Sequence, residues 1–173
     1  FDDEYKAAEL QYALGQYRAA ESGLQLLLTR YPNQDLGMVR YLLGNCSMQN
    51  QNYGLAIDHY SAAILFDDGI AKYHHGLGKA YLSDNKPGEA LRSLQSAHEM
   101  NPQNPDYALD YAGVLEHQNN YEAALAVMEH AAGSVDNSDT ATDFHVLHAD
   151  LLWQVGRLSD ALKEITKAKG FRP

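Results

Sequence analysis

The sequence predicts an all-α fold built from repeated helical hairpins, and three observations support this prediction. Ala, Leu, Glu and Gln are common, whereas only 5 prolines and 13 glycines occur among the 173 residues, a composition that favours helices. A short segment that ends in alanine recurs at intervals of 36, 34, 34 and 37 residues. Apolar side chains then follow at spacings of three and four, which is typical of an amphipathic helix. The closing alanines are Ala20, Ala56, Ala90, Ala124 and Ala161.

Each repeat is predicted to contain a first helix, a tight turn and a second helix. The turn segments open with Gly, Asn or Gln, residues that tolerate tight-turn geometry. Pro32 and Pro102 end two of the second helices, and Pro87 occupies the first turn of another, where its missing N–H costs nothing. In chain order, the helices are predicted near 2–14, 17–30, 37–50, 53–66, 71–84, 87–100, 105–118, 121–134, 141–155 and 158–170.

A small residue on the first helix of every repeat permits close packing within each pair. It precedes the closing alanine by twelve positions, at Ala8, Gly44, Gly78, Ala112 and Ala149. Because two helices approach closely only where their side chains are small, we expect tightly packed antiparallel pairs. The polar stretch between Ser134 and Ala141 is longer than the corresponding stretches of the other repeats, and we predict a longer connection there.

This pattern resembles the tetratricopeptide repeat, and the resemblance extends over essentially the whole chain. The matching residues are Leu43–Gly44, Leu77–Gly78, Tyr53 with Ala56, Tyr121 with Ala124, Pro32–Asn33 and Pro102–Asn104. The resemblance implies a right-handed α-solenoid of antiparallel helix pairs. We predict a single repeat domain over residues 1–173, with repeats near 1–34, 37–70, 71–104, 105–138 and 142–173.

Composition and charge exclude several classes of function. With 13 Lys and Arg against 23 Asp and Glu, the formal charge is −10, which disfavours binding to nucleic acids and anionic membranes. The apolar runs fall far short of the roughly 20 residues that cross a bilayer, so we expect no membrane insertion. A single cysteine, Cys46, excludes an intramolecular disulfide. We interpret the chain as a soluble fragment of a longer protein, from the cytoplasm or the periplasm.

The sequence offers no convincing catalytic or metal-binding site. His145 and His148 are spaced to share a helix face, as metal ligands would, but their positions in the repeat favour buried packing. Gly76–Lys79 lacks the strand and the Ser or Thr of a phosphate-binding loop. We expect the carboxylates to stand singly at exposed helix positions, and no nucleophile elbow is recognisable. We therefore predict a protein that is not an enzyme and that needs no metal or other cofactor.

The resemblance implies that the first helix of each repeat lines a concave groove. We predict that the binding residues are Tyr5, Tyr12, Met38, Tyr41, Asn45, Met48, Lys72, His75, Lys79 and Leu82. Tyrosine and methionine provide adaptable contact area at interfaces. Glu9 stands where family members that clamp a C-terminal carboxylate carry a neutral or basic residue, and its charge would repel that ligand.

The predicted function is recognition of a peptide or helix of a partner protein, as a scaffold or adaptor. Two alternatives are a chaperone or assembly factor for a bacterial secretion or pilus system, and an accessory repeat domain of a larger enzyme. Near the C-terminus, Leu158, Leu162, Ile165 and Phe171 form an apolar face without a polar capping helix. We expect further repeats or another chain to cover this face, which makes self-association through the uncapped helix an additional prediction.

Overall fold

A computed structural model describes residues 1–32, 36–135 and 140–170, and in these ranges the chain forms helices and no strands. The α-helices are α1 (Asp2–Ala13), α2 (Tyr17–Arg30), α3 (Gly37–Gln49), α4 (Tyr53–Phe66), α5 (Ala71–Ser83), α6 (Pro87–Met100), α7 (Pro105–His117), α8 (Tyr121–Ala131), α9 (Ala141–Gln154) and α10 (Leu158–Gly170). The prediction of an all-α chain of helix pairs is confirmed. The first helix of each repeat ends one residue earlier than predicted, and α8 ends three residues earlier because it passes into a short 3-10 helix over Ala132–Ser134. Most of the predicted longer connection lies outside the described residues.

The two helices of a repeat are joined by the same tight turn in all five repeats. One residue in each turn has a positive φ, between 58° and 81°, where glycine and asparagine are favoured. The next N–H donates to a carbonyl five residues earlier, as Gln16 does to Gln11 at 2.9 Å, which closes a Schellman motif. The positive-φ residues are Gly15, Gln51, Asn85, Asn119 and Gly156. This motif explains the Gly, Asn and Gln residues that mark the repeat in the sequence.

The chain divides into two compact units, unit 1 over Phe1–Ser93 and unit 2 over Leu94–Pro173. The division falls within α6. Unit 1 has a core formed by aliphatic residues of α1 to α3, including Leu24, Leu27 and Leu43, each at most 1% exposed. A second cluster in the same unit surrounds Tyr60 on α4. No helix in the described ranges is long and apolar enough to span a membrane.

Tyr60 packs where α3, α4 and α5 meet, and two glycines make room for its ring. The side chain is only 2% exposed. A Cβ atom added to Gly44 on α3 would lie 2.5 Å from the ring, and one added to Gly76 on α5 would lie 2.8 Å from it. Real Cβ atoms do not approach so closely, so any larger residue would push the helices apart or displace the ring. The expectation that small residues permit close helix packing is confirmed at Gly44.

We predict that Gly44→Ala lowers the free energy of unfolding by about 1–3 kcal/mol, because the added methyl group would overlap the Tyr60 ring. Urea denaturation followed by circular dichroism measures this change. Gly113→Ala in α7 is the matched control, because a Cβ at Gly113 meets no atom within 4 Å. Alanine there should stabilise the helix by up to about 1 kcal/mol. Equal stability of the two variants would contradict the packing described for Tyr60.

Candidate functional site

The ten predicted binding residues lie on α1, α3 and α5 of unit 1, and we call them the groove face. The members on α3 and α5 are spaced by three and four residues and the two on α1 by seven, which places the members of each helix on one side of it. Helix α3 packs against both α1 and α5, so the three sets are neighbours. None of the ten is buried: Met38, Lys79 and Leu82 are exposed, and the other seven are half-buried. The groove face is therefore accessible, although its role in binding stays a prediction.

An aromatic cluster forms the centre of the groove face. The Tyr41 ring lies 5.7 Å from the Tyr60 ring and 5.3 Å from the Tyr73 ring, measured between centroids. The ammonium group of Lys72 lies 5.2 Å from the Tyr41 centroid and 5.9 Å from that of Tyr73. These distances allow cation–π attraction, which holds Lys72 against the rings. Tyr41 thus connects the buried Tyr60 to the accessible surface.

Asn45 is held in place by the same buried tyrosine. The Tyr60 hydroxyl donates a hydrogen bond to Oδ1 of Asn45 at 2.7 Å. Burial raises the pKa of Tyr60 far above its usual value, and the neighbouring Tyr41 adds to the effect, so the hydroxyl remains a donor. Because this bond occupies the amide oxygen, the NH2 group of Asn45 is the part suited to contact a ligand carbonyl.

On α1, the tyrosines of the groove face stay neutral. Burial raises the pKa of Tyr5, and the Glu9 carboxylate raises it further by its charge and by accepting a hydrogen bond from the hydroxyl. Burial also raises the pKa of Tyr12, although a hydrogen bond with Gln49 opposes this. These tyrosines therefore present uncharged rings and hydroxyl groups to the surface.

The single cysteine is buried within α3, as its position in the repeat predicts. Burial raises the pKa of the Cys46 thiol to about 11, and the Glu21 carboxylate contributes to the shift. A protonated, inaccessible thiol is a poor nucleophile. Cys46 therefore acts as a small apolar core residue.

In unit 2, two histidines and a glutamate meet in the interior between α9 and α10. His145, His148 and Glu164 are 4%, 5% and 7% exposed. Nδ1 of His145 lies 2.7 Å from Oε2 of Glu164, and Nδ1 of His148 lies 3.3 Å from the same oxygen. Lys167 donates to the other carboxylate oxygen at 2.7 Å. The prediction of buried histidines is confirmed, whereas the expectation that all carboxylates are exposed is wrong for Glu164.

This buried cluster links the two helices by charge and hydrogen bonding. Burial opposes ionisation of Glu164, but hydrogen bonds from Lys167 and His145 outweigh it and lower its pKa. Burial lowers the pKa of His148, whose ring nitrogens make no well-aligned hydrogen bond. Within the described ranges, no three His, Cys, Asp or Glu side chains are arranged to hold a metal ion.

We predict that the domain loses stability as the pH falls from about 7.5 to about 5.5, partly through His148. The pKa of His148 is lower in the folded chain than its value of 6.5 in the unfolded chain. As the pH falls through 6.5, the unfolded chain therefore binds more protons than the folded chain, and protonation favours unfolding. Burial lowers the pKa of His59 and His98 in the same direction. Urea titrations of the wild type and His148→Leu at both pH values isolate the contribution of His148. An equal pH-dependent loss of stability in both proteins would contradict a contribution from His148.

A second accessible surface lies on α9 and α10 of unit 2, where apolar side chains line an open cleft of about 500 Å³. Val146 is 50% exposed and Trp153 63%, and both line this cleft together with Ile165 on α10. Leu158 and Leu162, also on α10, are more than half exposed. The apolar face predicted near the C-terminus is therefore present, apart from Phe171, which lies outside the described residues.

Comparison with solved structures identifies the same fold in other proteins. MamA is 18% identical, with a TM-score of 0.78 over 95% of this chain and 93% of that protein. The thermophilic protein TTC0263 of Thermus thermophilus is 20% identical, with a TM-score of 0.70 over 99% of this chain and 91% of that one. YrrB, described as having an unusual peptide-binding site, is 18% identical, with a TM-score of 0.73 over 98% and 85% of the two chains. At these identities, the similarity shows the fold alone.

Sequence comparison gives a match at the level of the family only. A search of curated protein sequences found no match. Two sequence profiles of the tetratricopeptide repeat match residues 5–71 and 81–142, which together make up most of the chain. These matches, the five Schellman turns and the fold shared with known repeat proteins lead to one conclusion: the chain belongs to the tetratricopeptide repeat family.

Proposed function

We propose that this protein is a protein-binding module that holds a peptide or helix of a partner against the groove face of unit 1. The observation that carries the proposal is the half-buried Tyr41 ring, which packs on the buried rings of Tyr60 and Tyr73 and has the cation of Lys72 held over it. Aromatic rings give large contact area at low conformational cost, and residues of this kind dominate the energetics of protein interfaces.

Three further features support the proposal. Two of the three helices of the groove face, α3 and α5, are packed together through Tyr60, so little conformational entropy is lost there when a ligand binds. Members of this family generally act in protein–protein interaction, and YrrB is described as having a peptide-binding site. The exposed side chains of Met38 and Leu82 add apolar contact area beside the rings.

The experiment is affinity capture of partners from a lysate, comparing the wild type with Met38→Asp/Lys79→Glu. Both side chains are exposed, so these changes should leave the fold intact while adding negative charge to the groove face. We expect the captured partner to bind at least about tenfold more weakly to the variant, because a central apolar contact and a cation are both lost.

The matched control is Leu65→Asp/Lys86→Glu, which makes the same two types of substitution outside the groove face. Leu65 on α4 is 87% exposed, and Lys86 precedes α6 and is also exposed. Circular dichroism should show equal helicity in the three proteins. A partner that binds the groove variant and the control variant equally well would refute the groove face as the binding site.

We also propose that the apolar cleft of unit 2 mediates self-association with a second copy of the chain. Val146, Trp153 and Ile165 leave exposed apolar area that an identical surface could cover. Asp150 and Lys169 line the same cleft, and a two-fold axis could bring the carboxylate of one copy near the ammonium group of the other.

Trp153, the only tryptophan, reports on this contact directly. As protein concentration rises, we predict a shift of its emission to shorter wavelength and an increase of the sedimentation mass towards that of a dimer. Val146→Asp should abolish both changes, because it places a charge in the contact. A concentration-independent monomer mass would contradict self-association.

A further inference from the structure

The groove face and its immediate neighbours form rows of equivalent residues that cross α1, α3 and α5. The repeat frame places Asp2, Met38 and Lys72 in one row. It places Glu9, Asn45 and Lys79 in another row, two helical turns further along. Because equivalent positions of successive repeats face the same side, each row runs across the three helices.

Both rows change charge in the same direction. Asp2 and Glu9 on α1 are exposed carboxylates, Met38 and Asn45 on α3 are uncharged, and the positions on α5 are lysines, of which Lys79 is exposed. Successive helix axes are separated by roughly 8–10 Å, so the opposite charges of a row are about 16–20 Å apart. At that distance the two charges of a row do not form an ion pair with each other.

Between and beside the charged rows, the surface is aromatic and apolar. Tyr5, Tyr41 and His75 form the row between them. Tyr12, Met48 and Leu82 form the row beyond Glu9. A ligand that follows a charged row therefore lies along rings and aliphatic side chains at the level of α3, where neither row carries a charge.

We propose that the groove face takes an extended peptide with a basic residue near α1, an apolar residue near α3 and an acidic residue near α5. An extended chain advances about 3.3–3.6 Å per residue, so the basic and acidic residues stand about five or six positions apart. This inference rests on the proposed function and adds the chemistry of the partner to it. The NH2 group of Asn45, whose oxygen is bonded to Tyr60, is placed to donate to a carbonyl of such a peptide.

The same pattern argues against peptides with charges of one sign. A peptide with several acidic residues would meet Lys72 and Lys79 favourably but would place carboxylates against Asp2 and Glu9. A peptide with several basic residues would place its positive charges against Lys72 and Lys79 on α5. Because like charges across an interface oppose binding, each conflict selects for a peptide that carries both signs in a fixed order.

The test uses fluorescence polarisation with synthetic peptides that contain one Lys, one central Leu and one Glu in a Ser and Gly background. The separation of the charged residues is varied from about two to nine positions, and both orders of charge are included. We expect one order to bind best at a separation of about five or six. The affinity should fall about three- to tenfold when the Glu is replaced by Lys, and this loss should shrink at high salt.

A charge-swapped protein makes the test specific. Glu9→Lys/Lys79→Glu leaves the net charge unchanged and reverses one row while the row of Asp2 and Lys72 keeps its charge order, so the preference for one order of charges in the peptide should be lost. Glu122→Lys/Lys86→Glu exchanges the same charges at exposed sites outside the rows and should leave the preference unchanged. A preference for charge order that the first variant leaves unchanged, or equal binding at all separations, would overturn the inference.

The outcome also separates this inference from the proposed function. Peptides that bind without regard to charge order, but are lost in Met38→Asp/Lys79→Glu, overturn the charge pattern and leave the groove face as the binding site. Absence of peptide binding, together with a captured partner that depends on Met38, likewise overturns only the charge pattern. Absence of both peptide binding and any partner that depends on Met38 overturns the proposed function as well.

Discussion

The contact between the Tyr60 ring and the two glycines that face it sets the spacing of α3, α4 and α5 in unit 1. Gly44 and Gly76 offer no side chain, so the ring of an α4 residue fits against both α3 and α5. The hydroxyl end of the ring then reaches Asn45, and its face lies near Tyr41. A buried packing contact therefore determines where residues on the accessible surface of the helices are placed.

This arrangement explains how a stable repeat can carry an adaptable surface. The residues that hold the helices together are mainly buried alanines, leucines and glycines, whereas Met38, Lys79 and Leu82 of the groove face are exposed. Exchanging an exposed side chain of the groove face changes what the surface can bind, and it leaves the contacts of Tyr60 intact. Because the exposed residues of the groove face can change while the buried core stays the same, membership of the family does not by itself specify the partner.

Much of the fold could be predicted from the sequence because each signal acts locally. Gly15 and Asn85 mark positive-φ turns, and the small residue at Gly44 marks a close helix approach. Burial of His145 and His148 also followed from their places in the repeat. The bonds that join α9 to α10 could not be predicted, because Glu164 has the spacing of a surface carboxylate. Only the packed structure shows that it faces two histidines.

The candidate site was predictable to a smaller extent. The repeat frame and the family resemblance selected the residues of the groove face, and the structure shows that all ten are at least partly accessible. The bond from Tyr60 to Asn45 and the position of Lys72 over Tyr41 depend on the exact spacing of α3, α4 and α5. That spacing results from tertiary packing, which the periodicity of a single sequence does not specify.

Site-specific photo-crosslinking can detect directly whether a partner protein lies against the groove face. A photoreactive amino acid is introduced in place of Met38 on α3 in one protein and in place of Leu65 on α4 in another, and each is irradiated in the presence of lysate. We expect a discrete crosslinked partner from position 38 and none from position 65. Equal crosslinking from both positions, or crosslinking from position 65 alone, would contradict it.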